Sequence, residues 1–398
     1  MKLKHLFCCG VALCVASTGA QAATFNLIDV GGVKGSAAEA GFNIAAAYWG
    51  SVLTNDVTIN LNVKFAPLAP NVIGSTGSTR TDVSVARWER GIAATKSDSL
   101  LDRAVVLPSL NSQGGVKLVS NGTDAAGNDD LSYTQFIDGS TTSSKTLYMN
   151  TALAKATGIV GANNPVIDGN ITFSSTFGFD FDPTDGISAN TFDFIGVAIH
   201  EIGHALGFVS GVDFLDVYGG NGPGAGTLGY SLNDTSIYSA LDMFRYSADS
   251  TRAVRGKPDV LDLSVGSEAY FSIDGGKTAL FGNKLATGRY NGDGDQASHW
   301  KDAVGCTGQI GILDPTFCFG QAGEVTALDL AAYDAMGWNT NIDVLRNPNY
   351  VATTASIYRQ FASLVPEPGS WALMLTGFAM MGATLRSRRT RTRVTFAA

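Results

Sequence analysis

The chain has 398 residues, of which 45% are hydrophobic, 16% are charged and 47 are glycine, and its formal net charge is −8. This length is enough for a large core, and the weakly charged, glycine-rich composition favours an extracellular globular protein. The acidic balance disfavours nucleic acid and anionic lipid surfaces as partners.

The first 22 residues have the features of a secretory signal peptide. Two lysines precede an apolar run at positions 6–15, and Ala20 and Ala22 form an AxA cleavage site. We therefore predict a signal peptide over residues 1–22, a mature chain that begins at Ala23, and export.

Apolar patterns then predict a sheet that precedes the centre of the chain. TFNLIDV alternates as a strand does, SAAEAGFNIAAAYWGSVL has helical spacing, and VTINLNVKFAPL alternates again. KTLYMN and VIDGNITFSSTFGFDF indicate further strands. This order of elements predicts an α+β fold in which the sheet precedes an active-site helix.

The segment DFIGVAIHEIGHALG, residues 193–207, is predicted to be that helix, because an acidic residue and a glycine cap it. On a helix, His200 and His204 share a face about 6 Å apart and can bind one Zn²⁺ ion. Glu201, rotated by about 100°, would lie beside the metal as the general base for a water molecule. Gly203 costs the helix about 1 kcal/mol relative to alanine, which predicts a group packed closely against it. A chance HExxH match is disfavoured because it would rarely fall in a capped apolar helix.

The scarcity of histidine limits the choice of a third ligand. Of the four histidines, His5 lies in the predicted signal peptide, so His299 in QASHWKD is the one further imidazole. Ser210 occupies the last position of a compact HExxHxxGxxH pattern, and serine is a poor zinc ligand. Acidic alternatives stay open: Asp213, Asp216 and Glu324.

Residues 210–298 are dense in small polar residues and predict a long loop-rich insertion. HEIGHALGF, this insertion, SHWKD and GILDPT together resemble the leishmanolysin branch of the metzincins. The resemblance implies a metzincin-like zinc peptidase domain over residues 23–344, with a mixed sheet, an active-site helix, a loop-rich C-terminal subdomain and protein or peptide substrates. It also implies the site residues, which are the zinc ligands His200, His204 and His299 and the catalytic base Glu201.

The chain departs from the metzincin pattern at the methionine turn beneath the metal. GILDPT places Leu313 where the methionine is expected, so Leu313, Met243 and Met336 are the candidates for the apolar floor. Tyr230 and Tyr246 in the insertion are candidates for stabilising an oxyanion, although most tyrosines only pack.

Three further features concern stability. Two acidic clusters are candidates for binding Ca²⁺, although neither has EF-hand spacing and solvated turns are the favoured interpretation. The clusters are Asp180, Asp182 and Asp185, and Asp293 and Asp295. Cys306 and Cys318 are predicted to form a disulfide in an exported chain. VTALDLAAYDAMGW predicts a helix that closes the domain.

The end of the chain resembles the PEP-CTERM sorting signal of Gram-negative bacteria. After a predicted spacer at 345–364, residues 365–393 contain a Pro-Glu-Pro motif, a short apolar segment and five arginines. The apolar run is shorter than the ~20 residues of a stable span, although a plain membrane anchor is the alternative. The resemblance implies exosortase-type sorting machinery as a partner, transient membrane association, and a place at the cell surface, outer envelope or extracellular matrix. Without both ends, 20 basic and 34 acidic residues remain, a net charge of about −14.

We therefore predict an exported zinc-dependent endopeptidase. The alternative is a non-catalytic surface or matrix protein that keeps a zinc-peptidase scaffold and binds polysaccharide or protein through its glycine-rich loops. The presence of all three histidines and the glutamate favours the enzyme.

Overall fold

The fold is built around a four-stranded sheet. Two helices pack on one face of this sheet, and one of them comes from the centre of the chain. The computed structural model describes residues 22–253, 260–302, 305–306, 308–364 and 380. Apart from residues 22 and 380, the predicted signal peptide and sorting signal lie outside the described residues.

The described residues contain fifteen strands and ten α-helices. The strands are β1 (Thr24–Gly31), β2 (Thr58–Ala66), β3 (Gly74–Ser78), β4 (Arg80–Ser84), β5 (Leu118–Thr123), β6 (Asp129–Ile137), β7 (Thr146–Asn150), β8 (Gly169–Ser174), β9 (Phe179–Asp180), β10 (Phe192–Asp193), β11 (Arg245–Tyr246), β12 (Leu261–Asp262), β13 (Tyr270–Phe271), β14 (Glu324–Thr326) and β15 (Val351–Thr353). The helices are α1 (Ala37–Val52), α2 (Val85–Thr95), α3 (Leu100–Ala104), α4 (Thr142–Lys145), α5 (Thr151–Ala156), α6 (Phe194–Leu206), α7 (Val212–Tyr218), α8 (Ala248–Ala253), α9 (Ala327–Met336) and α10 (Thr354–Phe361).

The main sheet has the strand order β1-β2-β8-β3. The first three strands are parallel, and β3 is antiparallel at the edge. Ile59, Leu61 and Val63 alternate along β2 and are buried, which makes one face of the sheet apolar. On the other face, the side chain of Asn62 bonds to that of Asn170 at 2.8 Å. This mixed sheet with its helices confirms the predicted α+β class.

Close contacts fix α6 beside α1 on the same face of the sheet. A Cβ atom at Gly41 of α1 would lie 2.4 Å from the ring of Phe194, so only glycine allows this approach. The indole of Trp49 donates a hydrogen bond to the carbonyl of Ile199 at 3.1 Å. Phe173 of β8 packs against Phe194 with ring centroids 4.6 Å apart. The helix is therefore a rigid base for its side chains.

Among its described residues, the predicted loop-rich insertion at 210–298 contains only short elements, which are α7, α8, β11 to β13 and three 3₁₀ turns. The helix predicted near residue 330 is α9. It packs near the end of α6, where the indole of Trp338 donates to the carbonyl of Leu206 at 2.9 Å.

The prediction of a spacer at 345–364 is wrong for most of that segment. β15 pairs antiparallel with β14, and α10 packs against α1. Ile357 and Phe361 are buried one helical turn apart, and this spacing is the apolar pattern of an amphipathic helix. The folded region therefore extends beyond residue 344. No helix in the described part of the chain is long and apolar enough to cross a membrane.

Candidate metal centre

Helix α6 carries two of the three histidines on one face. It starts after Asp193, whose carboxylate accepts a hydrogen bond from the amide of Gly196 at 3.0 Å. It ends at Gly207, whose φ of 129° is a conformation that favours glycine. His200 and His204 therefore lie one turn apart on a capped helix, as their spacing predicts.

The Nε2 atoms of the three histidines converge on one point. His200 and His204 are 3.0 Å apart at these atoms, His204 and His299 are 3.2 Å apart, and His200 and His299 are 3.3 Å apart. A zinc ion with Zn–N distances of about 2.0–2.1 Å in tetrahedral geometry would place its nitrogens about 3.3–3.4 Å apart. The structure thus brings the three predicted ligands together at a spacing that fits a metal ion. It does so although His299 lies 95 residues beyond His204 in the sequence.

Backbone carbonyls fix the orientation of each ring. In every case Nδ1 faces a carbonyl oxygen, and the pairs are His200 with Ile312 (2.8 Å), His204 with Phe208 (2.6 Å) and His299 with Gln296 (3.2 Å). Because a carbonyl only accepts hydrogen bonds, we infer that Nδ1 carries the proton and that Nε2 presents a lone pair. Three lone pairs that face one another repel, and a bound cation would make the same arrangement favourable.

Burial keeps the three imidazoles neutral. It lowers the pKa of His200 to about 3 and of His204 to about 4, and it lowers the pKa of His299 well below its ordinary value. Neutral imidazole is the form that binds metal ions. These histidines are the one group of three or more His, Cys, Asp or Glu side chains that could hold a metal ion in the described ranges.

Glu201 lies against the edge strand β3. The hydroxyl of Thr76 is 2.7 Å from Oε2 of Glu201 and can donate a hydrogen bond to it. Gly74 passes so close that a Cβ atom there would lie 2.4 Å from Oε1. Burial raises the pKa of Glu201 to about 7, and the Thr76 bond opposes the shift. A carboxyl group with a pKa near neutrality can both take up and release a proton.

The two aspartates considered as third ligands instead hold the loop that carries the third histidine. Asp213 accepts hydrogen bonds from the amide of Ala297 at 2.7 Å and from the hydroxyl of Ser298. Asp216 accepts from the backbone amides of residues 290–291 at 2.9 and 2.8 Å. Asp213 and Asp216 therefore position the loop of His299 through these hydrogen bonds.

The other acidic candidates also lie in turns or strands. Asp180 accepts from the amide of Ser188 at 2.8 Å, Asp182 accepts from Thr184 within a short 3₁₀ turn, and Asp293 accepts from the amide of Thr287. Glu324 starts β14. Asp180, Asp182 and Asp293 thus accept hydrogen bonds from nearby backbone amides, whereas Asp295 lines the cleft over the histidines.

The turn at 311–314 forms an apolar floor beside α6. Leu313 is completely buried, and its side chain lies 3.3 Å from the position that a Cβ atom of residue 203 would occupy. The hydroxyl of Tyr333 lies 2.5 Å from the same position, which confirms that a close contact explains Gly203. The other two candidates for the floor belong to other elements, Met243 to the turn Leu241–Phe244 and Met336 to the end of α9. The predicted disulfide between Cys306 and Cys318, which encloses this turn, is confirmed.

An open cleft of about 790 Å³ lies over the histidines. Neither tyrosine predicted to stabilise an oxyanion lines it, because Tyr230 is 49% exposed at another surface and Tyr246 is completely buried. The cleft is instead lined by Tyr218, Arg80 and Arg289 among other residues. Sequence patterns did not indicate these three, because none belongs to a motif with fixed spacing.

Comparisons of the chain with protein-family models, with curated proteins and with solved structures return no match. The chemistry of the site is therefore inferred from its own residues.

Proposed function

We propose that the protein is a zinc-dependent endopeptidase of metzincin-like architecture. The observation that carries the proposal is the convergence of the three Nε2 atoms, 3.0–3.3 Å apart, in a cleft that also contains a buried carboxyl group. Imidazole ligands suit Zn²⁺ as well as copper, iron and nickel ions, so the choice of zinc depends on the sequence motif. The HExxH spacing and the likeness to leishmanolysin-type metzincins support the same assignment.

The residues of the cleft have the roles that peptide hydrolysis requires. A bound Zn²⁺ ion supplies Lewis acidity, which polarises a carbonyl group and acidifies water. Glu201 takes the proton of the attacking water and passes it to the leaving amine, and Thr76 holds its carboxylate in place. Strand β3 lies at the edge of the sheet and lines the cleft, so an extended peptide can pair with it through backbone hydrogen bonds.

The test measures metal content and casein hydrolysis on the purified protein. We expect about one zinc ion per chain and cleavage that a chelator abolishes. Glu201→Gln should keep the metal and lower kcat by about 10²–10⁴-fold, whereas Glu324→Gln should change neither. A protein that holds zinc but cleaves no casein or peptide would favour the non-catalytic surface protein, and a protein that binds no zinc would refute the metal assignment.

We also propose that the protein is exported and sorted through its two ends. The AxA site at 20–22 and the Pro-Glu-Pro motif at 366–368 support this proposal. Mass spectrometry of the exported protein should find Ala23 at its start and no arginine-rich end. An intact tail in the membrane fraction would favour a plain anchor.

A further inference from the structure

Arg80 is a cation in the cleft without a direct anionic partner. It is the first residue of β4, directly after the edge strand β3, and it lines the cleft together with His204 and Glu201. Its Nη1 atom is buried and has no hydrogen-bond partner. Among the residues that the structure describes, no carboxylate lies within ion-pair distance of it.

Two aromatic rings hold this guanidinium in place. Its central carbon lies 5.6 Å from the centre of the Tyr148 ring and 5.8 Å from that of Phe214. These two rings also contact each other. An arginine fixed in this way loses little further freedom when it binds an anion, and its planar donors match a carboxylate.

The buried carboxylates near Arg80 already have other hydrogen bonds. The charges of Asp213 and Asp242 both act on the guanidinium. Asp213 is bonded within the loop of the third histidine, and Asp242 accepts from the amides of Gly211 and Ser239, each at 2.7 Å. Burial lowers the pKa of Arg80 and the two aspartates oppose this shift, so the guanidinium stays charged and its donors remain available to a ligand.

We propose that Arg80 binds a carboxylate of the substrate and thereby makes the cleft selective for acidic peptides. The carboxylate is either an aspartate or glutamate side chain near the cleaved bond or the carboxylate at the end of the substrate chain. This inference rests on the proposed peptidase function. The chain as a whole is acidic, so the preference arises from the local contact and not from long-range attraction.

The test first maps the cleavage sites in casein, to find the position at which acidic residues are enriched. Three peptides are then compared: an amidated peptide with Glu at that position, its Gln analogue, and the Gln analogue with a free terminal carboxylate. For the wild type we expect kcat/KM to be about 10–100-fold higher with a carboxylate than with the amidated Gln peptide. The comparison is made at low and at high salt, because a partly buried contact is screened less than surface charge.

Variants of Arg80 test whether the preference for carboxylate peptides depends on this side chain. Arg80→Met should bring the ratio of kcat/KM between a carboxylate peptide and the amidated Gln peptide to about one, and Arg80→Lys should retain part of the preference. Arg346→Met is the matched control, because Arg346 is 71% exposed and does not line the cleft. Preference for the Glu peptide identifies a side chain as the ligand, and preference for the free terminus alone identifies the terminal carboxylate.

Equal cleavage of all three peptides by the wild type would overturn the proposal even if Arg80→Met did not fold. If the wild type cleaves neither casein nor any peptide, the proposed function fails, and Arg80 is tested by peptide binding in fluorescence polarisation. Tighter binding of the carboxylate peptides, lost in Arg80→Met, would then support the inference, and equal binding would overturn it.

Discussion

The imidazole rings of His200, His204 and His299 are each held through Nδ1, and each presents Nε2 to the other two rings. The carbonyl partner of His200 lies 112 residues away, whereas those of His204 and His299 lie four and three residues away, so the orientation of the His200 ring depends on a tertiary contact. Three ligands bind a metal far more tightly than two, because the third adds its bond without a further cost in translational entropy.

His299→Ala tests the distant ligand. The expected result is a fall in zinc content from about one ion per chain to less than about one tenth, with casein cleavage lost in parallel. Elemental analysis after gel filtration measures the metal, and circular dichroism establishes that the fold is retained. Full zinc content in the variant would move the third ligand to another residue.

Strand β3 shows how alternation places small residues against the helix. Gly74, Thr76 and Ser78 face α6, where Thr76 and Ser78 donate to its side chain and backbone, while Gly77 is exposed. The residues of β3 that face α6 must therefore have small side chains, whereas those on the other side of the strand need not.

Gly74→Ala should lower kcat by about tenfold or more without loss of zinc. Its Cβ atom would lie 2.4 Å from Oε1 of Glu201, and displacement of a catalytic group by about 1 Å is costly. Gly77→Ala is the matched control, since a Cβ atom there meets no atom nearer than 4.0 Å, and it should stay within about twofold of the wild type. Equal losses in both variants would contradict this account of the strand.

Helix α7 holds the loop of the third histidine through Asp213. Asp213→Ala should weaken zinc binding by about 10–100-fold, because the amide of Ala297 and the hydroxyl of Ser298 lose their acceptor. Competition with a chromophoric chelator measures the affinity. Asp130→Ala, near the start of β6, where the carboxylate has only an exposed hydrogen bond from the amide of Ser132, should leave it unchanged. Unaltered affinity in Asp213→Ala would mean that the loop holds its position without this aspartate.

At the scale of the whole molecule, buried carboxyl groups make stability depend on pH. Burial raises the pKa of Asp334 in α9 to about 7, with the hydroxyl of Thr340 as a partner at 3.2 Å. The folded state therefore keeps a proton that the unfolded state loses above its ordinary value near 3.8. The stability contributed by this group is complete below that value and is lost as the pH rises towards 7.

Asp334→Asn removes this titration. Between about pH 5 and pH 8, the free energy of unfolding of the variant relative to the wild type should increase by about 2–3 kcal/mol. Urea unfolding at both pH values measures the difference, and the comparison cancels the titration of other buried groups. A difference that does not change with pH would show that Asp334 titrates normally.

Local patterns were sufficient to predict much of this fold. Alternation along β2 and the caps of α6 are properties of short segments, and the scarcity of histidine pointed to His299. The pairing of Asp213 with Ser298 depends on a contact between residues 85 positions apart, which no local pattern encodes. Arg80 was missed for the same reason, since its aromatic partners come from two other elements. The sequence predicts a spacer where α10 lies, because the few apolar residues of this segment adjoin the predicted sorting signal.

The disulfide between Cys306 and Cys318 closes a ring that contains the carbonyl of Ile312, the acceptor for His200. A covalent ring of this size removes about 3 kcal/mol of conformational entropy from the open chain. Oxidation of the two thiols thus restricts the conformations of the turn even without a bound metal ion, and reduction removes this restriction. If the centre binds a metal ion as proposed, the reduced protein should bind it more weakly than the oxidised protein, because the acceptor for His200 is then less restricted.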